Sequence, residues 1–276
     1  MRRRVVTAFD PEGVGPDRPP LDLAEFSRFK HGASGPAWRL GRQLVRRLGL
    51  ECADVVEAER LVVTASCYKV VPLASVALGR VVAHRLNRHR VDAGRAPVIW
   101  TKFHRDQLIE GDYSTMSLEQ RQEFIAGDVI RVDPAVLAGA AVLVVDDLRV
   151  TGFHEGRLAS VLDEAGVPEA TFAYLVTVDG RADPTVEKDM NQAAIDGVDA
   201  LRALVRDGGF VLNSRVCKLI LGAPIDEVDR LVAALPVWLL TELVSGLECN
   251  GYAVMARYRP AYELMVGALD HRAVKA

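Results

Sequence analysis

The sequence predicts an α/β fold, a parallel sheet flanked by helices, with a helical addition at the C-terminal end. Three stretches carry that prediction. Val142–Val145 is a continuous apolar, mostly β-branched run of the kind that forms a buried parallel strand. Asp146 and Asp147 follow it, then a turn with Thr151 and Gly152. An amphipathic helix comes next, with Leu158, Val161, Leu162 and Ala165 on one face and Gly166 as its stop. LVVTAS, Leu61–Ser66, reads as a first core strand and leads through the loop CYKVVPLAS into a helix that ends near Arg88. ATFAYLVTVDG, Ala170–Gly180, reads as another core strand. The chain has 276 residues and is 50% hydrophobic, enough for one α/β domain with an appendage or for two small domains.

Taken in order, residues 1–24 are rich in Pro, Gly and Asp and read as an extended lead. FSRFKHG, Phe26–Gly32, reads either as a surface turn with Arg28 and Lys30 solvated or as a flap near a substrate. A helix is expected from about Pro36 to Leu48. PVIWTKFHR, Pro97–Arg105, reads as the second strand, with Lys102, His104 and Arg105 clustered at its end. The long connection that follows is polar in its first half, with Tyr113, Ser114 and Thr115 at the expected tip. Ser117 and Gln120 there form a capping box that suits a short helix. Helical periodicity then covers Asn191–Arg206, with Gly208–Gly209 as the stop. Further helices are expected from near Asn213, from about Ile225 and from Pro236 onward. The expected division is 1–50 as lead and helix or flap, 51–185 as α/β core and 186–276 as a helical region. That last region is expected to cap the site or to build an oligomer interface such as a homodimer.

Composition narrows the function classes. A formal net charge of −3 gives no nucleic-acid footprint. No run reaches the ~18 apolar residues of a membrane span. Arg2–Arg4 are followed by polar residues and prolines, so a signal peptide is not expected. Cys52, Cys67, Cys217 and Cys249 are widely spaced and form no CxxC pair. Disulfides and a structural zinc site are therefore not expected, and a reducing cytoplasm fits.

The chemistry concentrates at the strand–turn–helix of Val142–Glu155. Ligands of open α/β sheets bind at the carboxyl ends of strands, and the N–H groups of a strand-to-helix turn suit a phosphate. The pattern is a phosphate cradle beside two carboxylates. Adjacent like charges after a buried strand are costly unless a cation or donors balance them, which favours a site over a solvated turn. Receiver domains also place an acidic pair after a strand, but near the start of the domain. Here about half of the chain precedes the pair.

These residues resemble the PRPP-binding motif of type I phosphoribosyltransferases, specifically at Asp146, Asp147, Thr151 and Gly152. The ending TG-x-HE resembles a branch encoded near tellurium-resistance genes. The resemblance implies that Asp146 and Asp147 face the ribose hydroxyls and that Val150, Thr151, Gly152, Phe153 and His154 wrap the 5-phosphate. Ser66, Cys67, Tyr68 and Lys69 stand where the family binds pyrophosphate, although Cys67 by itself reads as a small packing residue. Lys102 stands near the leaving group. Asp179, Arg28 and Lys30 are weaker candidates for contacting the acceptor, and Asn213 and Arg215 are candidate polar contacts. Mg2+ is the implied cofactor, met by Asp146 and Asp147 indirectly through ribose hydroxyls or water. The implied reaction transfers 5-phosphoribosyl from PRPP to a small-molecule acceptor and releases pyrophosphate. A non-catalytic PRPP-binding regulator of the same fold is the alternative. The sequence departs from the family at Val150, His154 and Glu155. The departure at Val150 leaves no acidic base there for purine-type catalysis.

Overall fold

The computed structural model describes residues 1–11, 18–106, 117, 119–120, 127, 129–178 and 185–273. At its centre is a five-stranded sheet in the order β1 (Arg2–Thr7), β7 (Glu169–Thr177), β6 (Ala141–Arg149), β2 (Leu61–Ala65) and β3 (Ile99–Trp100). Every neighbouring pair is parallel. All of β2 and the Val142–Val145 run of β6 are buried. Burial on both faces explains why these strands read as unbroken apolar runs.

Residues 2–7 form an edge strand, where the sequence suggested an extended lead. Its register runs from Arg2 opposite Glu169 to Thr7 opposite Tyr174. Ion pairs join Arg3 to Glu155 and Arg4 to Asp54 and Glu169. Those partners are far away in sequence, so nothing local announces the strand. The stretch read as a surface turn or flap is a helix, α1 (Leu23–Lys30). Asp22 caps it, its carboxylate accepting the N–H groups of Ala24 at 2.9 Å and Glu25 at 3.0 Å. Phe26, Ser27, Phe29 and Lys30 are buried, whereas Arg28 is exposed.

Three helices follow: α2 (Ser34–Glu51), the short α3 (Ala53–Val56) and α4 (Ala74–Asp92). Helices α1, α2 and α4 pack on the sheet face that carries Leu143 and Val145. The expected second strand is cut short. After Trp100 the chain leaves the sheet, and β4 (His104–Arg105) pairs antiparallel with β5 (Ile130–Arg131). Backbone bonds between Tyr68 N–H and Phe103 C=O, and between Arg105 N–H and Tyr68 C=O, hold this turn against the loop after β2. Beyond β5, Asp133 caps the short α5 (Pro134–Leu137). Helix α6 (Phe153–Glu164) covers the opposite face, on Val142 and Val144.

The C-terminal part contributes α7 (Val186–Gln192), α8 (Val198–Arg206), α9 (Ser214–Leu221), α10 (Ile225–Ala234), α11 (Val237–Asn250) and α12 (Arg259–Ala273). Helix α7 packs on α1 and adds Val186 and Met190 to the core on that side of the sheet. The helices from α8 onward surround an apolar cluster of their own that includes Leu201, Val228, Leu240, Leu247 and Met265. The single helix expected over Asn191–Arg206 is two, because Gly197 is fully extended between them. Hydrogen bonds tie this bundle to the sheet domain. Ser27 Oγ donates to Asn191 C=O at 2.6 Å and accepts the N–H groups of Ala194 and Ile195. Asn250 Oδ1 accepts the N–H groups of Val70 and Val71 at 3.0 Å each. Ser214 N–H donates to Pro72 C=O. The four cysteines are free thiols. Among the described residues no helix is long and apolar enough to cross a membrane.

Candidate active site

Strand alternation organises the site. Successive side chains on β6 point to opposite faces. Asp146 therefore shares the α6 face with Val142 and Val144, and Asp147 shares the α1 face with Leu143 and Val145. The strand runs on through both acids to Arg149, so the carboxylates belong to the sheet edge rather than to a turn after it. Both open into one cavity of about 410 Å3 at the carboxyl ends of β2, β6 and β7.

The two acids are handled differently. Asp147 is 6% exposed, and its Oδ1 accepts from Lys30 Nζ at 2.6 Å. The cation thus comes from α1, and Lys30 takes part in the site as an ion-pair partner of the motif itself. Asp146 Oδ1 accepts the Asp147 N–H at 2.9 Å. Burial, and then the neighbouring Asp147 charge, push the Asp146 carboxyl up to about 7, although the Ser66 hydroxyl and Lys30 pull it down. Parallel pairing of Ala65 with Val145 explains why Ser66 lies beside it. Tyr174, opposite Asp146 in the register, is raised above the usual phenol range, mainly by burial.

The turn that follows presents a helix terminus. Gly152 adopts φ +73°, and α6 begins immediately after it without a side-chain cap. A Cβ at Gly152 would meet a guanidinium nitrogen of Arg149 at 2.9 Å. Phe153 N–H points back to Thr151 Oγ1 at 3.4 Å. The remaining first-turn N–H groups have no intrahelical acceptor, which is the arrangement that receives an anion. Glu155 in that turn would oppose an anion, but it is buried and engaged. Arg149 Nε donates to it at 2.6 Å, Tyr174 Oη at 3.1 Å, and Arg3 forms an ion pair with it. His154 faces Arg105, with 3.4 Å between Nδ1 and the guanidinium. Burial, aided by that cation, lowers the imidazole to about 3, so it is neutral at ordinary pH.

Of the residues singled out from sequence, the cavity gathers Asp146, Asp147, Ser66, Val150, Thr151, Gly152, His154, Lys30 and Arg215. Cys67, Tyr68, Lys69, Lys102, Phe153 and Arg28 are not among its lining residues. Cys67 is fully buried in the core. Lys102 Nζ donates to Lys69 C=O at 2.6 Å and lies 4.2 Å from the centre of the Tyr68 ring, where burial lowers its pKa. The N–H groups of Tyr68, Val70 and Val71 are spent within the protein. The start of α4 faces the cavity in their place, with Leu73, Ala74 and Ser75. Ser75 is 1% exposed, and its Oγ has no hydrogen-bond partner among the described residues. Asn213 is a structural residue. It caps α9 through the N–H groups of Arg215 and Val216, and its Nδ2 donates to Lys30 C=O at 3.2 Å. Asp179 and the loop-tip residues Tyr113, Ser114 and Thr115 lie outside the described residues. The capping box is present, with Ser117 N–H on Gln120 Oε1 and Gln120 N–H on Ser117 Oγ.

Sequence reasoning did not select Ser75, Arg149, Tyr174, Lys188, Lys218 or Arg257, all of which line the cavity. Lys218 stands three residues after Arg215 on an amphipathic helix, a spacing that places both on one face and was readable. Nothing in the sequence near Tyr174 or Arg257 signals their place.

No curated protein matches the chain. A family model described as PRTase ComF-like matches residues 12–261, most of the sequence. With its parallel sheet and the acidic strand end leading into a Thr-Gly turn, the chain belongs to the ComF-like phosphoribosyltransferase family.

Proposed function

We propose that the protein transfers 5-phosphoribosyl from PRPP to a small-molecule acceptor. The acceptor nucleophile bonds to ribose C1 as the C1–O bond to pyrophosphate breaks. The electron pair leaves with pyrophosphate, and the acceptor gives up a proton. One observation carries the reading: a single cavity holds Asp146 and Asp147 directly beside the uncapped start of α6 at Gly152. Such a reaction develops positive charge on the ribose and negative charge on the leaving group. Carboxylates on one side and N–H groups with cations on the other stabilise it.

Within this reading the first turn of α6, with Thr151, holds the 5-phosphate. The start of α4 receives pyrophosphate, with the Ser75 hydroxyl, which has no hydrogen-bond partner among the described residues. Arg105 adds a cation near the phosphate turn. Mg2+ would sit beside Asp146 and Asp147, whose carboxylates open side by side into the cavity, where burial, and then the Asp147 charge, already disfavour a negative Asp146. Among the described residues no group of three or more His, Cys, Asp or Glu forms a cage, so substrate oxygens would complete the coordination. When bound, the ion supplies charge neutralisation for the leaving group. Four free thiols suit a reducing cytoplasm.

The test is calorimetry with PRPP and Mg2+, followed by pyrophosphate release across acceptors. Folded protein that shows no binding at millimolar PRPP refutes the reading. Lys30 favours the second reading, a PRPP-binding regulator, because its ammonium already sits on Asp147. Tight PRPP binding with no pyrophosphate from any acceptor supports that alternative.

A further inference from the structure

A second cavity, of about 360 Å3, lies between α2, the first turns of α4 and the Val211–Asn213 segment. Its interior is apolar. Phe29, Ala37 and Val81 are buried there, and Leu73, Val76 and Ala77 complete the lining. Small side chains make the space, with Ala33 and Ala37 on the α2 side and Ala74 and Ala77 on the α4 side. The two helices close up at Gly41, where a Cβ would meet Val81 Cγ1 at 2.7 Å. Two exposed large apolar side chains, Trp38 at 42% and Val211 at 44%, stand at the open side. Apolar surface left in water around a concavity marks a binding place. The lining also carries two basic side chains, Arg80 and His84, both exposed and four residues apart on α4. None of the described lining residues is acidic. The Arg80 guanidinium lies 4.2 Å from the centre of the Trp100 ring, and the His84 ring meets Trp38 edge-on at 5.3 Å. Neither side chain has a carboxylate partner among the described residues. Stacking on an aromatic face holds a guanidinium in place and leaves its N–H edge for an anion.

We propose that this cavity is a second ligand site and that its ligand is a small carboxylate with an apolar body. The body fills the space between α2 and α4, and the carboxylate accepts from Arg80 and His84 at the opening. One guanidinium and one imidazole suit a single negative charge. The volume falls in the range of about 300–1,000 Å3 typical of small-molecule pockets. A partner helix would need a groove running several turns. The site stands apart from the carboxylates of β6 and does not depend on the reaction proposed above.

The test uses two pairs of probes, octanoate with octanamide and naphthalene-2-carboxylate with naphthalene-2-carboxamide. Binding to the full chain is followed by calorimetry and by tryptophan emission, to which Trp38 at the opening contributes. The acid of at least one pair should bind about three- to thirtyfold more tightly than its amide, the scale of a hydrogen bond to a charged group reduced for exposed cations. Which pair shows it separates an alkyl from an aromatic body. Leu73 and Ala74 also line the larger cavity, so the probe is located through Ala77, which lines only this one. Ala77→Leu fills the space and should abolish binding of acid and amide alike. Arg80→Gln, at the exposed rim, should remove most of the preference for the acid and keep binding of the amide; it decides the matter if Ala77→Leu does not fold. No binding by either acid at millimolar concentration, or equal binding within both pairs, overturns the proposal. So does an Arg80→Gln protein that keeps the full preference, or a folded Ala77→Leu protein that binds like wild type.

Discussion

Lys30→Met removes the ammonium that balances Asp147 while keeping the length and apolar stem of the side chain. The two side chains are 9% and 8% exposed, and their charged atoms are 2.6 Å apart. The variant strands a carboxylate in a place with little water. Breaking a buried pair from one side costs about 3–5 kcal/mol. For a chain of this size that lowers the melting temperature by roughly 10 °C. Lys30→Met combined with Asp147→Asn removes the stranded charge as well, so the double variant should recover most of the loss. The coupling in the four-protein cycle should reach about 2 kcal/mol or more. Urea and thermal unfolding of wild type, both single variants and the double variant measure it. A Lys30→Met cost under about 1 kcal/mol, or strictly additive singles, would mean that water screens the pair as on an open surface. The reasoning about Lys30 would then be wrong.

Three further outcomes are expected. Under the proposed function Thr151→Val deletes a hydroxyl that would meet phosphate in both ground and transition states, so PRPP affinity should fall by about 1–3 kcal/mol with little change in maximal rate; unchanged affinity in calorimetry refutes that role. Gly152→Ala, at φ +73° with Arg149 in the way, should lose about 1–2 kcal/mol of stability and bind PRPP more weakly. Gly156→Ala, where a Cβ meets nothing within 4 Å, should gain roughly 0.5–1 kcal/mol, and equal behaviour of the two would remove the conformational argument. Asp146→Asn tests the raised acid: its folded value near 7 exceeds the ordinary 3.8, so its contribution is fully favourable below about pH 4 and is lost as pH rises through 7. The variant should therefore be more stable than wild type by about 1–3 kcal/mol at pH 8 and nearly equal to it at pH 4. A shift in melting temperature that is the same at both pH values would sink the assignment.

What the sequence disclosed follows from where each signal is stored. Strand β6, its acidic end, Gly152 and α6 lie in one contiguous stretch, and a parallel strand buried on both faces must be apolar throughout. The edge strand β1 could not be read that way. Its sequence RRRVVT carries three cations, and they are answered by Glu155, Asp54 and Glu169, partners that only the fold brings near. The Lys30–Asp147 contact likewise spans 117 residues. Helix α1 has a readable start, because Asp22 and Glu25 stand three residues apart as in a capping box, although the aromatic–basic mixture of FSRFKHG masks its helical pattern. Gly197, in turn, was a visible break inside the helix expected over Asn191–Arg206. The basic end of the second strand misled for a different reason. Clustered cations announce charge but not direction, and the chain turns away after Trp100, so Lys102 is spent on Lys69 and Tyr68 while Arg105 reaches the cavity.

The charges around the Thr151–Gly152 turn explain why both ends of the chain converge on it. A helix terminus attracts an anion only if the acids in its first turn do not cancel the field. Glu155 sits in that first turn, and Asp147 stands close by in sequence on β6. Glu155 is neutralised by Arg149 from the end of β6 and by Arg3 from β1, and Asp147 is neutralised by Lys30 from α1. The start of the chain therefore supplies cations to the acids next to the turn, while burial, and then the Asp147 charge, raise the Asp146 carboxyl to about 7. The C-terminal helices fix those same elements. Asn213 holds the end of α1 through Lys30 C=O, Asn191 anchors it through Ser27, and Asn250 holds the loop that leads into α4. Displacing α9 would loosen Lys30 together with the cavity lining that α9 provides. The acidic strand end and the basic helices are thus held as one electrostatic unit, with the carboxylates and the cations facing each other across the same cavity.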